Sequence, residues 1–339
     1  MEELLSSFDA WLGGCEAIPV IDAASVALAR ERVREEAARV GLDVVQTASL
    51  VNVASELAQN QLVHARGRRA VVVRSVVREG QDGVEVVAAD EGDGIADVAR
   101  ALEAHPKGQG SLGVGLAAAN ELADELDFDV RRGEGTCIRA RKFRSYTTRC
   151  RRVGIYGRPY PGERTSGDDA VFARGAGGLL FAVADGLGHG ELARQASSRA
   201  VNLVSENVEG SLEGLMANAH DTLQESRGAV MVAGRVAPDH VELVGIGNVT
   251  AYVCGLQRTK RFTGTSFVVG ARGEHRRPAA ESVQLDSRDV LVVYSDGIRS
   301  GLDLAGDPDL LREHPIVVAQ RVVERFGRAD DDALVMVIG

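Results

Sequence analysis

Acidic, amide and glycine residues in the first half of the chain are spaced so that they could act together. Glu56 and Asn60 lie four residues apart on a predicted helix, so their side chains face the same way. A carboxylate at Glu56 could orient and deprotonate a hydroxyl group, and the Asn60 amide oxygen could hold the Mg²⁺ that bridges phosphates. Asp90 ends a predicted strand and could accept a hydrogen bond from an adenine amino group. Gly92 and Gly94 would let the backbone approach the base, so the set suits ATP binding.

A glycine-rich stretch follows this set. Gly110, Gly113 and Gly115 precede a predicted helix at residues 116–126, and the free amides at a helix N-terminus favour phosphate. Taken singly, these features are equally compatible with a solvated acid, a turn and an ordinary helix start. Their order and spacing together favour a nucleotide site.

A second set of acids and glycines lies in the other half of the chain and suits phosphate hydrolysis. Its members are Asp168, Asp185, Gly186, Asp296 and one of Asp330 and Asp331. Each acid lies beside a predicted strand end, where a sheet brings distant segments together. Two oxygen-ligated Mg²⁺ or Mn²⁺ ions could activate a bridging water, so that no protein nucleophile is needed. Gly186 would contribute its backbone carbonyl; the run 330–332 leaves the register open, with Asp330 preferred and Asp331 as the alternative.

Hydrophobic periodicity indicates the elements that must position these residues. It predicts helices at residues 23–40, 44–65 and 116–126 and strands at 70–77, 83–89 and 136–141. A Gly- and Pro-containing stretch within residues 142–167 marks a domain boundary. Beyond it the pattern predicts strands at 171–173, 179–184, 229–236, 241–246, 251–254 and 290–294, with helices at 191–207 and 315–326. Apolar residues before position 18 have helical spacing and predict a packing helix.

Composition restricts the possible partners. A net charge of −10 among 339 residues argues against a nucleic-acid or anionic membrane surface, since those need clustered basic residues. The cysteines have no paired spacing, which predicts reduced thiols rather than disulfides or a zinc site. No apolar run approaches the ~20 residues of a membrane span. These features predict a cytoplasmic protein with protein or nucleotide partners.

The first half resembles a known superfamily. From about residue 18 to residue 142, the motifs at 55–60, 89–95 and 112–116 resemble those of GHKL ATPases, and within them the RsbT-type serine kinases. The resemblance implies Glu56 as general base, Asn60 as Mg²⁺ ligand, Asp90 as adenine contact and residues 110–115 as part of an ATP lid. It also implies a serine of a STAS-domain protein as substrate. His64 lies one turn past Asn60, but no dimerising phosphoacceptor helix precedes the domain, so a histidine-kinase function is not favoured.

From about residue 153 to residue 339 the chain is similar to metal-dependent serine/threonine phosphatases of the sporulation type, in size and motifs to the RsbX type. Motifs at 184–190, 245–249, 294–298 and 330–335 support this resemblance. Ala333 stands where the last motif usually has a hydroxyl residue. Asn248 falls where larger relatives have a further metal-binding Asp, and Arg164 lies near, but not in register with, their phosphate-binding Arg.

The predicted fold class is therefore α/β (α+β): a two-layer α/β GHKL ATPase sandwich followed by an α/β/β/α phosphatase sandwich. The predicted domains are an N-terminal extension at 1–17, the ATPase at 18–143, a linker at 144–152 and the phosphatase at 153–339. The predicted function is a bifunctional protein-serine kinase and phosphatase that controls a STAS-domain partner in a stress-response or sigma-factor partner-switching pathway. The cofactors would be ATP with Mg²⁺ in the first half and two Mn²⁺ or Mg²⁺ in the second.

Two alternatives stay open. In one, the first half only binds partners such as a sigma factor, and nucleotide holds the binding shape without being consumed. In the other, the phosphatase is the active half and the ATPase fold regulates it. A general base at Glu56 favours the kinase, because a pure binder has no need of one.

Overall fold

The computed structural model describes residues 7–103, 114–146, 150–175, 177–255, 259–271 and 278–339. The chain divides into two compact units, Met1–Val153 and Gly154–Gly339. Both units mix helices with β-sheet, which confirms the predicted fold class.

The first unit places helices against one antiparallel sheet. Its elements are α1 (Ser7–Leu12), β1 (Ile18–Pro19), α2 (Ala23–Val40), α3 (Val44–His64), β2 (Arg69–Arg78), β3 (Gln81–Asp90), α4 (Val98–Leu102), α5 (Val114–Leu122), β4 (Glu125–Arg131) and β5 (Gly135–Phe143). The strand order is β1-β2-β3-β5-β4. Helices α2 and α3 pack on each other and contact β2 and β3, and α3 also contacts α5. The helix expected before residue 18 is α1, whose Trp11 packs on the sheet beside Val87 and Cys137.

Capping residues fix where the two long helices of this unit begin. The Asp22 carboxylate accepts a hydrogen bond from Ser25 N at 2.9 Å, and that of Asp43 accepts one from Gln46 N at 2.7 Å. Ser25 and Gln46 return a side-chain acceptor to the cap backbone, so both helices start with a capping box. Each cap stabilises its helix by about 1 kcal/mol. The start of α3 therefore sets the positions of the polar residues one to four turns further on.

One predicted element of this unit is wrong. The helix predicted at 116–126 ends at Leu122, and Glu125–Arg131 form β4 instead. These residues alternate between acidic or basic and apolar side chains, a period of two that fits a strand. The acids are buried and paired with arginines, Glu125 and Asp127 with Arg141 of β5 and Asp129 with Arg131 of the same strand, so the strand tolerates residues that strands usually disfavour.

The second unit has two sheets. Its elements are β6 (Val153–Arg158), β7 (Asp168–Gly175), β8 (Gly178–Gly186), α6 (Glu191–Glu206), α7 (Leu212–Leu223), β9 (Ala229–Val236), β10 (His240–Ile246), β11 (Thr250–Cys254), β12 (Thr259–Thr263), β13 (Glu281–Gln284), β14 (Val290–Tyr294), a 3₁₀ turn (Leu310–Arg312), α8 (Pro315–Phe326) and β15 (Ala333–Ile338). The strand orders are β6-β15-β14-β11-β12 and β13-β10-β9-β8-β7. Helices α6 and α7 pack on the second of these sheets, and α8 packs on β15 of the first.

The strand ends of this unit gather its acidic residues. Residue 168 of β7 is the direct antiparallel partner of residue 185 of β8. Asp296 follows the end of β14, and residues 330–332 lead directly into β15, the neighbour of β14. An apolar core that includes Met216, Leu223 and Met231 holds α7 against the sheet behind this region. Each fully buried side chain of that size contributes about 2 kcal/mol.

Candidate functional site

In the first unit, Glu56 and Asn60 lie on one side of α3 and face the start of α5. Both side chains are half-buried. A Cβ added at Gly115 would lie 2.5 Å from Glu56 Oε2 and 3.4 Å from Asn60 Nδ2. Any side chain at position 115 would therefore displace the Glu56 carboxylate. The structure brings these three predicted site residues together, whereas Gly110 and Gly113 lie outside the described residues.

Asp90 ends β3 and is held by the turn that follows. Its Oδ1 accepts a hydrogen bond from Gly92 N at 2.8 Å. A Cβ at Gly92 would lie 2.7 Å from that same oxygen, and Gly94 has φ of 71° with its Cβ position 2.9 Å from Arg131 O. Neither position accommodates a side chain without rearrangement. Burial raises the pKa of Asp90 to about 6, despite the opposing hydrogen bond from Gly92.

Gln61 is a positioning residue that the sequence analysis missed. Its buried amide donates hydrogen bonds to Ala70 O at 3.2 Å and to Ala89 O at 2.8 Å. It thereby ties α3, one residue after Asn60, to the strand end that carries Asp90. A polar residue on the otherwise apolar face of α3 was the signal in the sequence. His64 ends α3 as an exposed side chain.

In the second unit, five acidic side chains influence one another electrostatically: Asp168, Asp185, Asp296, Asp331 and Asp332. Burial and the charges of Asp168 and Asp296 raise the pKa of Asp185 to about 10. Burial also raises the pKa of Asp168 well above its ordinary range, although a hydrogen bond from Ser295 Oγ at 2.7 Å opposes the rise. Burial and the charge of Asp296 raise the pKa of Asp331. The predicted acids of β7, β8 and β14 thus share one region.

Neighbouring polar groups hold two of these acids in place. Asp168 is 1% exposed, and the Ser295 hydroxyl that donates to it is itself fully buried. Asn248 Nδ2 donates to Asp296 Oδ2 at 2.7 Å. Asn248, which the sequence marked as a departure from larger relatives, therefore positions a neighbouring carboxylate in this chain.

The structure distinguishes the three consecutive aspartates before β15. Asp332 is buried, and it accepts hydrogen bonds from Tyr160 N at 2.6 Å and Gly167 N at 3.0 Å. It therefore fastens the segment that leads into Asp168. The charges of Asp332 and Asp331 both raise the pKa of Asp168, and the charge of Asp331 also raises that of Asp185; the Asp331 carboxyl therefore belongs to the acid cluster, whereas that of Asp332 is occupied by backbone amides. Asp330 and Asp331 both line the adjoining cavity, and of the two Asp331 has the stronger case as a ligand.

The acid cluster fits hydrated divalent cations. Carboxyls whose pKa values rise because of burial and because they face one another are stabilised in their charged form by a cation placed between them. Within the described residues, no three His, Cys, Asp or Glu side chains form a ready set of ligands. Mg²⁺ keeps several waters and takes only one or two carboxylates in many proteins, so smaller sets suffice. A Cβ at Gly186 would lie 2.0 Å from Ala193 O, so only glycine fits the strand end beside Asp185.

A cavity of about 610 Å³ opens beside the acids. Asp185, Asp296 and residues 330–331 line one part of it, and His189 and Tyr160 lie at its edge. The Tyr160 and His189 rings stack at 4.7 Å, and His189 Nδ1 shares a hydrogen bond of 2.9 Å with Glu163. A cavity of this size holds a phosphoryl group together with part of the molecule that carries it.

Two family models match the chain. Residues 20–142 match the model described as "Histidine kinase-like ATPase domain", and residues 175–339 match the model described as "Stage II sporulation protein E (SpoIIE)". The serine/threonine-protein kinase RsbT of Bacillus subtilis (strain 168) is 33% identical over 118 residues, which cover 35% of this chain and 88% of RsbT. The anti-sigma F factor of Caldanaerobacter subterraneus subsp. tengcongensis is 27% identical over 120 residues, which cover 34% of this chain and 82% of that factor.

Solved structures resemble the chain over more than half its length. A chain from "The bacterial stressosome: a modular system that has been adapted to control secondary messenger signaling" is 28% identical with a TM-score of 0.51, and the match covers 55% of this chain and 98% of that one. RsbX in complex with magnesium is 17% identical with a TM-score of 0.50, and covers 57% of this chain and 96% of its own. The RsbX likeness concerns the fold.

Fold and sites together define a GHKL-type ATPase module joined to a SpoIIE-type serine/threonine phosphatase domain. The chain belongs to the histidine kinase-like ATPase family, in which its first unit is RsbT-like. The predicted resemblances to RsbT and RsbX are confirmed. Asp168 lies outside the SpoIIE match, which begins at residue 175, but the β7–β8 pairing brings it to Asp185. No helix in the described part of the chain is long and apolar enough to cross a membrane.

Proposed function

We propose that this chain is a bifunctional protein-serine kinase and metal-dependent phosphoserine/phosphothreonine phosphatase. Its two activities would set the phosphorylation state of a STAS-domain partner in a stress-response or sigma-factor partner-switching pathway. The observation that favours this most is the convergence of Asp168, Asp185 and Asp296, whose mutual repulsion fits bound cations. The similarity to a stressosome structure and to an anti-sigma factor supports a partner-switching role. A cytoplasmic location stays a prediction from composition.

In the phosphatase half, the carboxylates of β7, β8 and the end of β14 would hold two Mn²⁺ or Mg²⁺ ions. When bound, such ions lower the pKa of water and stabilise the charge on phosphoryl oxygens. Ser295 and Asn248 hold the Asp168 and Asp296 carboxylates toward the site, which lowers the cost of organising them. Gly186 would contribute its carbonyl, and Asp331 rather than Asp330 would complete the set.

In the kinase half, Glu56 would accept the proton of an incoming serine hydroxyl as its oxygen bonds to the γ-phosphorus and the bond from that phosphorus to the β,γ-bridging oxygen breaks, with ADP as the leaving group. Asn60, on the same side of α3, would hold the Mg²⁺ that accompanies ATP. Asp90 would accept a hydrogen bond from the adenine amino group, with the backbone of Gly92 and Gly94 close to the base. The glycines at 110, 113 and 115 would line the phosphates.

A second candidate function has support from the anti-sigma F factor, which is 27% identical. In that case the first unit would bind a sigma factor or another regulator with ATP in place and would transfer no phosphate. The proximity of the Glu56 carboxylate to Gly115 favours the kinase, because a binding module needs no base at that point. The two candidates differ in whether phosphate leaves ATP.

The test uses the full chain, a purified STAS-domain protein and γ-labelled ATP. We expect label transfer to a serine of that protein, loss of transfer in Glu56→Gln, and loss of subsequent phosphate release in Asp185→Asn. Transfer at the wild-type rate in Glu56→Gln would reject the assigned base. ATP binding without any transfer would favour the anti-sigma alternative.

The proposed domains are an extension at 1–17, the kinase at 18–143, a linker at 144–152 and the phosphatase at 153–339. Limited proteolysis tests these boundaries. Cleavage concentrated within 144–152, leaving two fragments that each unfold cooperatively, is the expected outcome. Primary cleavage within either proposed domain would require new limits.

A further inference from the structure

The cavity beside the acid cluster has an apolar side that phosphate hydrolysis does not explain. Four residues form this surface, which is called the apolar wall below: Leu187, Val230, Phe267 and Val268. Leu187 is 40% exposed and lies two residues from the half-buried Asp185. A phosphoryl group and its cations need only the acidic part of a cavity of about 610 Å³. The remaining space can take neighbouring atoms of the substrate.

The apolar wall is fixed in place by backbone hydrogen bonds. Thr265 bonds through its carbonyl to Gly247 N at 2.8 Å and through its amide to Gly245 O at 3.1 Å. Val269 exchanges two bonds with Ala229, at 2.8 and 3.2 Å. These bonds tie the segment before and after Phe267 to β9 and β10. An irregular segment that is anchored at both ends can present side chains at fixed positions.

Side-chain packing fixes the wall further. The ring of Phe267 stacks on buried His220 with ring centroids 5.9 Å apart. Leu187 N donates to Gly228 O at 3.1 Å, and a Cβ at Gly228 would lie 2.8 Å from Val268 Cγ1 and 3.8 Å from Leu187 Cδ1. Glycine at position 228 thus leaves Leu187 and Val268 free to approach the same point. The wall is a preorganised surface rather than a chance exposure.

The charges of the cavity lining limit which substrate side chains can bind beside the apolar wall. The cavity lining carries the carboxylates of Asp185, Asp296 and residues 330–331, and no Lys or Arg among its described residues. With the proposed cations bound, these carboxylates are neutralised, and the lining has no Lys or Arg that would favour an acidic side chain beside the phosphorylated residue; an apolar side chain there would lose water-exposed surface against the wall.

We propose that the apolar wall selects protein substrates with an apolar residue next to the phosphorylated serine or threonine. This inference rests on the proposed phosphatase function and deepens it by naming a substrate class. Leu187 contributes most because it is the wall residue with the greatest exposure beside the acids. A side chain the size of leucine gains about tenfold in kcat/KM from such a surface, the lower end for one hydrophobic contact.

The experiment uses the full chain with Mn²⁺ and two phosphoserine peptides that differ only in the residues on both sides of the phosphoserine, leucine in one and glycine in the other. We expect wild-type protein to prefer the leucine peptide about tenfold in kcat/KM. In Leu187→Ala that ratio should fall to about 1–3. Leu192→Ala is the matched control, since Leu192 is an exposed leucine outside the cavity lining, and it should keep the wild-type ratio.

The outcomes separate the two hypotheses. If wild-type protein hydrolyses both peptides equally, the wall does not select substrates and the inference is rejected, while the phosphatase function stands. A preference that survives in Leu187→Ala also rejects it. If neither peptide nor p-nitrophenyl phosphate is hydrolysed, the proposed function itself fails and the inference with it. A Leu187→Asp variant that favours a lysine-flanked peptide over the leucine peptide would support the wall independently.

Discussion

Acids are buried in both units, but their surroundings differ. In the first unit Arg141 pairs with Glu85 at 2.6 Å, Asp127 at 2.6 Å and Glu125 at 3.2 Å. Burial alone would raise the pKa of Glu85, yet Arg141 and Arg74 bring it below its ordinary value. The arginine thus neutralises all three carboxylates within the fold. These ion pairs hold strands β3, β4 and β5 together, and the paired charges are not available to bind a ligand.

In the second unit buried Asp168 faces the half-buried acids Asp185 and Asp296 instead. The pKa of Asp185 rises to about 10 because of burial and the charges of Asp168 and Asp296. Their charge is balanced by polar neighbours such as Ser295 only in part. Burial of acids alone therefore does not indicate a functional site. The surroundings distinguish the two cases, because acids that face other acids rather than arginines gain from a bound cation.

The largest effect that would test this difference is the loss of phosphatase activity in Asp185→Asn. Removing one carboxylate of the cluster should lower Mn²⁺-dependent release of phosphate from p-nitrophenyl phosphate by about 10³-fold. Without metal, the variant should melt at the same temperature as wild-type protein or higher, because it removes a repulsive group. Chelator should abolish wild-type activity.

Full activity in Asp185→Asn, or chelator-resistant activity in wild-type protein, would contradict the metal site. A large fall in the metal-free melting temperature would mean that Asp185 is a structural acid like those of the first unit, and the contrast between the units would be lost.

The next effect concerns stability in the first unit. Arg141→Met leaves Glu85, Glu125 and Asp127 without a shared cation, and should destabilise this unit by about 3–5 kcal/mol, the usual cost of breaking a buried ion pair. Urea unfolding measures the change. Arg144→Ala is the matched control, because the side chains of Arg144 and Asp82 are 55% and 50% exposed and lie 3.9 Å apart. A surface ion pair of this kind contributes about 0–1 kcal/mol. Equal destabilisation by both changes would remove the distinction between buried and surface pairs.

Sequence reasoning succeeded where the spacing was local. The four-residue separation of Glu56 and Asn60 predicts a shared helix face, and the structure has both facing Gly115. It failed at β4, because Glu125 and Asp127 are poor strand residues until Arg141 of β5 is known to lie beside them. That pairing joins distant segments, and no local pattern contains it.

The sequence also could not show which of the aspartates 330–332 contributes to the acid cluster. The three residues are chemically identical, and only tertiary contacts distinguish them. Asp332 accepts from the backbone amides of Tyr160 and Gly167, more than 160 positions away, which assigns it to structure. The acids themselves could be found from sequence, because each lies beside a strand end. The sequence alone could not show which position within 330–332 faces the other acids.

In the nucleotide site, substitutions of the proposed base, Glu56, and of the proposed adenine contact, Asp90, should have different effects. Glu56→Gln should lower phosphate transfer about 10²-fold, the lower range for loss of a general base, and leave ATP affinity unchanged. Asp90→Asn should weaken ATP binding at least about tenfold, because an amide places a donor where the adenine amino group needs an acceptor. Calorimetry with ATP and Mg²⁺, beside a label-transfer assay, measures both quantities. Equal loss of ATP affinity in the two variants would contradict the role of Glu56 as general base.

The smallest expected effect is the pH dependence of ATP binding through Asp90. Burial raises its pKa from 3.8 to about 6, so the folded protein without ATP takes up a proton below that pH and loses stability as the pH rises from about 4 to about 6. The adenine amino group needs the ionised carboxylate, and ATP therefore competes with this proton. Affinity should fall about tenfold per pH unit below about 6 and level off above it.

The comparison of wild-type protein with Asp90→Asn isolates this group, because the titration of ATP itself is common to both. The difference in log Kd between them should shrink as the pH falls from 7 to 5, since wild-type protein loses its carboxylate charge and the variant has no carboxyl to protonate. A difference that stays constant over this range would mean that Asp90 is ionised throughout. Burial would then not set its charge, and the acid of the first unit's nucleotide site would resemble the paired acids around Arg141 rather than the unpaired ones of the second unit.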